Sequence, residues 1–329
     1  MNYLIVNADD FGLTAGVTYG IWEGLTEGWI TSTTMMVNQP ASSLAANLLR
    51  AYGYAVSPSS GAVASQSVEA VASPSSGAVA SQSSEAVTTP SGGAVAFDSA
   101  VTSPSAAKTA EFSVGLHINL SLGQPLTDCP TLTRQGHFIK PQDLEDPTVY
   151  DPEEIAREID AQYRRFVALT GCEPSHLDTH LYAHQKFENV RREVIALAER
   201  LSVPVRGCRT TKYIAPHFEA GFKVRNGDTL TTLRERLEQI VRDMCAADRD
   251  VELMVHPAFL DNDLLEISSY RGERVMEATV IREYLMSDSL PDDIQLIDYT
   301  GWSRKNIRSL SSAEGAGVPA VVFKGGFHG

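Results

Sequence analysis

Short apolar runs alternate along the chain with longer stretches in which apolar residues recur every three or four positions. Tyr3 to Val6 is apolar throughout, as a strand buried on both faces would be, and is cut off by Asn7-Ala8-Asp9-Asp10. Residues 16–27 read as a helix and 32–37 as a second strand, and Val114 to Leu116 with Leu120 predicts another strand beside His117. Asp151-Pro152-Glu153-Glu154 is a helix start: a capping carboxylate, proline at the first helical position, and Glu three residues after the cap. Ile155, Ile159, Tyr163 and Phe166 carry that helix on, and a strand-like segment follows at 175–178. Val190, Val194, Leu197 and Leu201 form the stripe of the next helix, before a short strand at 203–205. A third long amphipathic helix runs through Leu230, Leu233, Leu237, Ile240 and Met244. Strands at 251–255 and 294–297 flank a helix over 273–286.

Strands alternating with helices imply a parallel sheet. Six or more such units predict an α/β fold of the (β/α) barrel kind, irregular in outline, with an open doubly wound sheet as the alternative. In either architecture functional groups gather where the strands end.

Residues 55–110 break the pattern, being mostly Ala, Ser, Val, Gly and Pro. The unit Ser-Pro-Ser-Ser-Gly-Ala-Val-Ala-Ser-Gln-Ser begins at Ser57 and again at Ser73, with a degenerate third copy near Thr89. Such a unit has no large side chains to bury, so it does not offset its ordering entropy and is expected to loop out as a disordered insertion. The stretch after Trp302 is also rich in small residues. Within it, Val318 to Phe323 reads equally as a closing strand or as part of a poorly ordered tail.

The 329 residues, 43% hydrophobic and 21% charged, suit a globular chain with a sizeable core. A net charge of −14 with no compensating basic stripe argues against nucleic acid as a partner. The four cysteines (Cys129, Cys172, Cys208, Cys245) show no CxxC spacing, which excludes a zinc ribbon and fits a reducing compartment. The N-terminus shows no secretory signal and no apolar run is long enough for a bilayer, so no membrane contact and a cytoplasmic location are expected.

Chemistry concentrates at four places. Asp9 and Asp10 follow the first strand; adjacent carboxylates repel unless a cation or proton lies between them, though a turn with a helix cap would use the same residues. His117 lies inside an apolar stretch, where a lone histidine is more often a hydrogen-bonded core residue. The run from His176 through Asp178 and His180 to His184 puts three histidines and an aspartate within nine residues. Imidazole is the commonest metal ligand and a nearby carboxylate fixes its tautomer; a merely polar loop is the competing explanation. His256 ends the strand at 251–255 and is a candidate acid–base group. His137, His217 and His328 have no comparable context and read as surface residues.

Five runs in order, IVNADDFGLT, TSTTMMVN, VGLHINLSLGQPL, PSHLDTHLYAH and ELMVHPAF, resemble the YdjC family of carbohydrate deacetylases, nearest to its chitooligosaccharide (diacetylchitobiose) deacetylases. The resemblance covers residues 2–302 as a single deacetylase domain interrupted by 55–110, and leaves 303–329 as a divergent tail. It implies an irregular barrel of the polysaccharide-deacetylase type, one divalent metal ion and removal of acetate from N-acetylated sugars. By motif, Asp10, His117 and His180 are similar to the metal ligands, Asp9 to the general base and His256 to the general acid. His176, Asp178 and His184 fall to supporting or substrate-facing places. The resemblance suggests Mg2+, whereas two imidazoles and a carboxylate suit Zn2+ or another transition metal by softness. The expected partner is a small N-acetylated oligosaccharide, in a chain that could pair as a homodimer. Two further readings carry the same residues: a non-haem metal oxygenase with a two-histidine, one-carboxylate site, and a catalytically inactive sugar- or metal-binding scaffold.

Overall fold

The structure is a computed structural model, and it describes residues 1–54, 111–140, 150–287 and 289–307. The repeat tract, the 318–323 run and His328 lie outside the described residues. In chain order the elements begin with β1 (Asn2–Phe11), α1 (Ala15–Glu27), β2 (Ser32–Met35), α2 (Ser42–Tyr52) and β3 (Ser113–Ile118). A small hairpin of β4 (Thr133–Arg134) and β5 (His137–Phe138) follows, then α3 (Pro152–Thr170), β6 (Leu177–Thr179), α4 (Ala183–Lys186), α5 (Glu188–Leu201) and β7 (His217–Glu219). The chain continues with α6 (Leu230–Ala247), β8 (Val251–Val255), α7 (Asn262–Ile267), α8 (Gly272–Leu285), β9 (Ile294–Leu296) and α9 (Tyr299–Asn306). No helix among the described residues is long and apolar enough to cross a membrane.

The main sheet runs β6-β3-β2-β1-β8-β7, with β9 also on β1, and every pairing in it is parallel. It curls. Arg206 follows Val205, which bridges to Leu177 beside β6 at one end of the sheet, yet its guanidinium lies 4.9 Å from the Phe218 ring on β7 at the other end. An open, gently twisted sheet would hold those two edges far apart, so the doubly wound alternative gives way to an irregular barrel.

Side-chain alternation along β1 divides the interior. Leu4, Val6 and Ala8 face the helices and join the main core with Ile21, Leu25, Leu116, Ile155, Phe166, Val194 and Leu233. Ile5 faces the other way, into a small cluster with Tyr213, Tyr299 and Trp302 that plugs the base of the barrel. Above Ile5 the inward positions turn polar with Asn7 and Asp9, both buried. Thus the inward positions of β1 pass from apolar Ile5 to polar Asn7 and Asp9 toward its C-terminal end, where sites form in this architecture.

Two sequence expectations shift. The first strand continues through Asn7-Ala8-Asp9-Asp10 to Phe11 instead of ending before it, because the pairing to β2 runs on past a bulge. The expected 203–205 strand shrinks to a single bridge at Val205, next to Pro204, which has no N–H for a ladder. Asp151 caps α3 as expected, its carboxylate accepting from Glu153 N at 2.9 Å.

Glycines let α1 approach the segment after β8 that carries His256. A Cβ on Gly20 would lie 2.6 Å from Ala258 Cα, and one on Gly16 2.3 Å from the Phe259 carbonyl oxygen. Gly20→Ala is therefore expected to lose about 1–3 kcal/mol of stability, because backbone atoms must move. Urea unfolding of the variant against wild type measures it; an unchanged midpoint would show that this contact gives way freely.

Candidate active site

Adjacent residues of a strand ordinarily face opposite sides of the sheet. Asp9 and Asp10 escape that rule. Ala8 pairs with Thr33 and Phe11 with Met35, so three steps on β1 oppose two on β2, and Asp10 takes φ 76°. Such a bulge with a left-handed residue re-aims a side chain, and here it brings both carboxylates to one cavity of about 590 Å3. His117, His180, Tyr182, Met254 and His256 line the same cavity.

Three donor atoms converge at its floor. Asp10 Oδ1 lies 3.1 Å from His180 Nδ1 and 3.4 Å from His117 Nε2, and the two imidazole nitrogens are 3.4 Å apart. Asp10 Oδ1 is buried without a hydrogen-bond partner, a state that costs free energy unless a ligand completes it. Asp10 Oδ2 accepts from Arg274 Nη2 at 2.6 Å. Burial pushes the Asp10 carboxyl up, but Arg274, His180 and His117 together hold it well below the usual carboxylate range.

His117 and Asp178 are directly opposite on β3 and β6, which sets His117 Nδ1 2.6 Å from Asp178 Oδ1. Thr34 of β2 donates to the other oxygen of Asp178 at 2.9 Å. The carboxylate thereby fixes Nδ1 as the protonated nitrogen and leaves Nε2 to the convergent site. Burial opposes charge on this ring, yet Asp178 and Asp10 pull its pKa up to about 10 in the metal-free protein. The pocket favours positive charge at this spot, and the orphaned oxygen, two imidazole nitrogens and a carboxylate-buttressed histidine fit a divalent cation.

His180 follows β6 on a 3-10 turn (His180–Tyr182) whose last two residues, Leu181 and Tyr182, both take the left-handed region at φ 52° and 62°. Two bulky residues in that conformation are strained, and the turn sets the imidazole toward Asp10.

Asp9 is held by a fork. Arg206 Nη1 donates to Asp9 Oδ2 at 2.7 Å and Nη2 to Oδ1 at 2.6 Å, while Asn7 Nδ2 donates to Oδ1 at 3.0 Å. A carboxylate offers about four lone-pair sites, so these three bonds leave one, on Oδ2. Arg206 also lies 2.9 Å from Asp178 Oδ2 and donates to Glu252 Oε1 at 2.6 Å. His256 follows β8; its backbone N–H donates to Glu277 Oε2 at 2.5 Å, and its Nδ1 stands 3.5 Å from that oxygen. Tyr270 donates to the other oxygen of Glu277 and sets its ring edgewise to His256. Burial alone would raise the Glu277 carboxyl; His256 and Tyr270 lower it overall.

His176 and His184 do not line the cavity. His176 Nε2 meets Asn7 Oδ1 at 3.0 Å, its ring stacks on Tyr299 at 3.8 Å, and burial lowers its pKa to about 3. His184 bridges Thr179 Oγ1 and the Arg206 carbonyl, and burial lowers it to about 4. Both brace the polar interior as neutral rings, and Asp178 stands behind His117. His137 and His217 are exposed. Sequence reasoning missed Arg206, Arg274, Glu252, Tyr270 and Glu277. A signal existed for Arg206, an arginine directly after the apolar run Val203-Pro204-Val205. Arg274 and Glu277 had none, as charges on a helix read as solvent-facing.

The chain is 31% identical to the carbohydrate deacetylase of Geobacillus stearothermophilus over 300 residues, 90% of this chain and 96% of that protein. It is 30% identical to the chitooligosaccharide deacetylase of Klebsiella pneumoniae strain 342, covering 88% of this chain and 94% of that protein. Among solved structures, a proposed cellobiose-phosphate cleavage protein from Enterococcus faecalis V583 shares the fold at TM-score 0.62 and 22% identity, over 91% of this chain and 97% of that one. Residues 3–61 and 93–295 match the family described as YdjC-like protein, and the chain belongs to that family.

Proposed function

We propose that this chain is a carbohydrate N-deacetylase, a hydrolase that removes acetyl groups from N-acetylated sugars, with short chitooligosaccharides such as diacetylchitobiose as substrates. The observation that carries the reading is one cavity shared by Asp9, the Asp10–His117–His180 set and His256, in a chain that matches carbohydrate deacetylases over nearly their whole length.

Asp10, His117 and His180 would hold the divalent ion. When bound there it would supply Lewis acidity, polarising the amide carbonyl and easing ionisation of water. Asp9 accepts a proton on its remaining Oδ2 lone pair as water adds to the acetamido carbon, and Arg206 holds the carboxylate plane while it does so. His256 passes a proton to the sugar nitrogen as the C–N bond breaks, so that amide and water become acetate and a free amine. Glu277, fixed by Tyr270 and the His256 backbone, orients that imidazole. Asp178 keeps His117 in the tautomer the site needs.

Purified protein incubated with diacetylchitobiose is expected to release acetate and free amine in equal amounts, without oxygen. The same donor set serves non-haem oxygenases, so acetate release that requires oxygen would favour that reading; no product at all would favour a binding scaffold. Metal analysis of protein purified without added ions decides between magnesium, which the family resemblance suggests, and zinc, which the donor set suits.

A further inference from the structure

A helix packed on a sheet ordinarily turns an apolar stripe inward. Helix α8 does so only over its later turns, at Val280, Ile281 and Tyr284; its earlier inward positions are Arg274 and Glu277. Burying a guanidinium is costly unless its donors are used. Arg274 is 4% exposed and donates through Nη2 to Asp10 Oδ2 and through Nε to the Tyr270 carbonyl at 3.0 Å, while Nη1 is buried without a partner. A residue serving only as a hydrogen-bonded strut would be expected to use its full fork, as Arg206 does on Asp9. Arg274 instead places a full positive charge behind one oxygen of the carboxylate whose other oxygen, Oδ1, converges with His117 Nε2 and His180 Nδ1.

We propose that Arg274 is a positioning residue that sets the charge and denticity of the Asp10–His117–His180 site. It occupies Oδ2, confines Asp10 to a single coordinating oxygen and offsets its negative charge, so the site holds its cation loosely. The inference rests on the metal-hydrolase reading above. Its consequence for the reaction is that the cation, less neutralised by its ligands, retains more of its Lewis acidity.

The sign of one measurement separates this role from a plain structural salt bridge. A strut, once removed, frees Asp10 and weakens metal binding; a charge offset, once removed, strengthens it. The probe is Zn2+ alone, titrated into metal-free full-length protein against a chromophoric chelator, with thermal melts of the same samples. Arg274→Gln keeps a donor for Oδ2 and drops the charge, so it is expected to bind Zn2+ about tenfold more tightly than wild type. Arg274→Lys keeps the charge and is expected to stay within about threefold of wild type. A folded Arg274→Gln protein that binds Zn2+ equally or more weakly overturns the proposal. If that variant does not fold, an Arg274→Lys affinity outside about threefold of wild type overturns it. Wild-type protein that binds no Zn2+ removes the metal site itself, and with it both the inference and the reading beneath it.

Discussion

Asp9→Asn is expected to lower turnover by roughly 10²–10⁴-fold, the usual contribution of a positioned general base, while leaving bound metal near the wild-type level. The argument is geometric. Asp9 and Asp10 are neighbours in sequence, but the bulge gives them different company. Asp10 Oδ1 converges with two imidazole nitrogens, whereas both Asp9 oxygens are engaged by Arg206. An asparagine at position 9 is the same size and can keep one oxygen on the arginine fork, yet it accepts no proton from water. His180→Ala removes a donor from the convergent set and is expected to lose metal and turnover together. Metal content by atomic spectroscopy, paired with acetate release, checks both variants. Normal turnover in Asp9→Asn would mean that the base is elsewhere in the cavity, and loss of metal in that variant would place Asp9 among the ligands.

Much of the fold is legible in the sequence. The alternation of strand and helix signals is a local property, and β8 at Val251–Val255 and α3 after Asp151 sit where the pattern puts them. The candidate residues were legible because a histidine at the end of an apolar run has few bland explanations once several such runs occur in one chain. What stayed hidden depends on contacts distant in sequence. Asp9 meets Arg206 across |i−j| = 197 and Asp10 meets Arg274 across |i−j| = 264, and nothing local to either arginine announces its partner. Helix α8 misleads for the same reason, since burying Arg274 and Glu277 blurs the apolar periodicity that marks an inward face. Short elements were missed too: β7 is three residues long, and only its pairing to β8 makes it a strand. The family resemblance already sets His176 and His184 apart from His180, and the fold supplies the physical reason. The three share one polar run, but partners on Asn7, Tyr299, Thr179 and Arg206 draw two of them into the barrel wall.

Arg206→Met is expected to destabilise the protein by about 3–5 kcal/mol, the largest stability loss of any single substitution considered, because it leaves buried carboxylates without their cation. Arg206 is fully buried and touches Asp9, Asp178 and Glu252, so one removal unbalances three acids. The loss should also depend on pH, with a definite sign. Burial raises the Glu252 carboxyl to about 7, against the opposing pull of Arg206 and the Tyr299 hydroxyl. A carboxyl whose folded pKa lies above its unfolded value of 4.5 favours folding when protonated. Its contribution is therefore neutral below that unfolded value and grows unfavourable as pH rises toward the folded one. Without Arg206 the folded pKa climbs further, which widens the window and deepens the penalty at its upper end. The Asp178 carboxyl, which Arg206 helps to hold down, shifts in the same direction once that partner is gone. Urea unfolding of both proteins at pH 5 and pH 8 is the measurement, and the stability difference between them should be larger at pH 8. An equal or smaller difference at pH 8 would mean that water or a rearranged side chain replaces the guanidinium. In that event the polar interior would be held together by its hydrogen bonds, with charge balance around Arg206 contributing little.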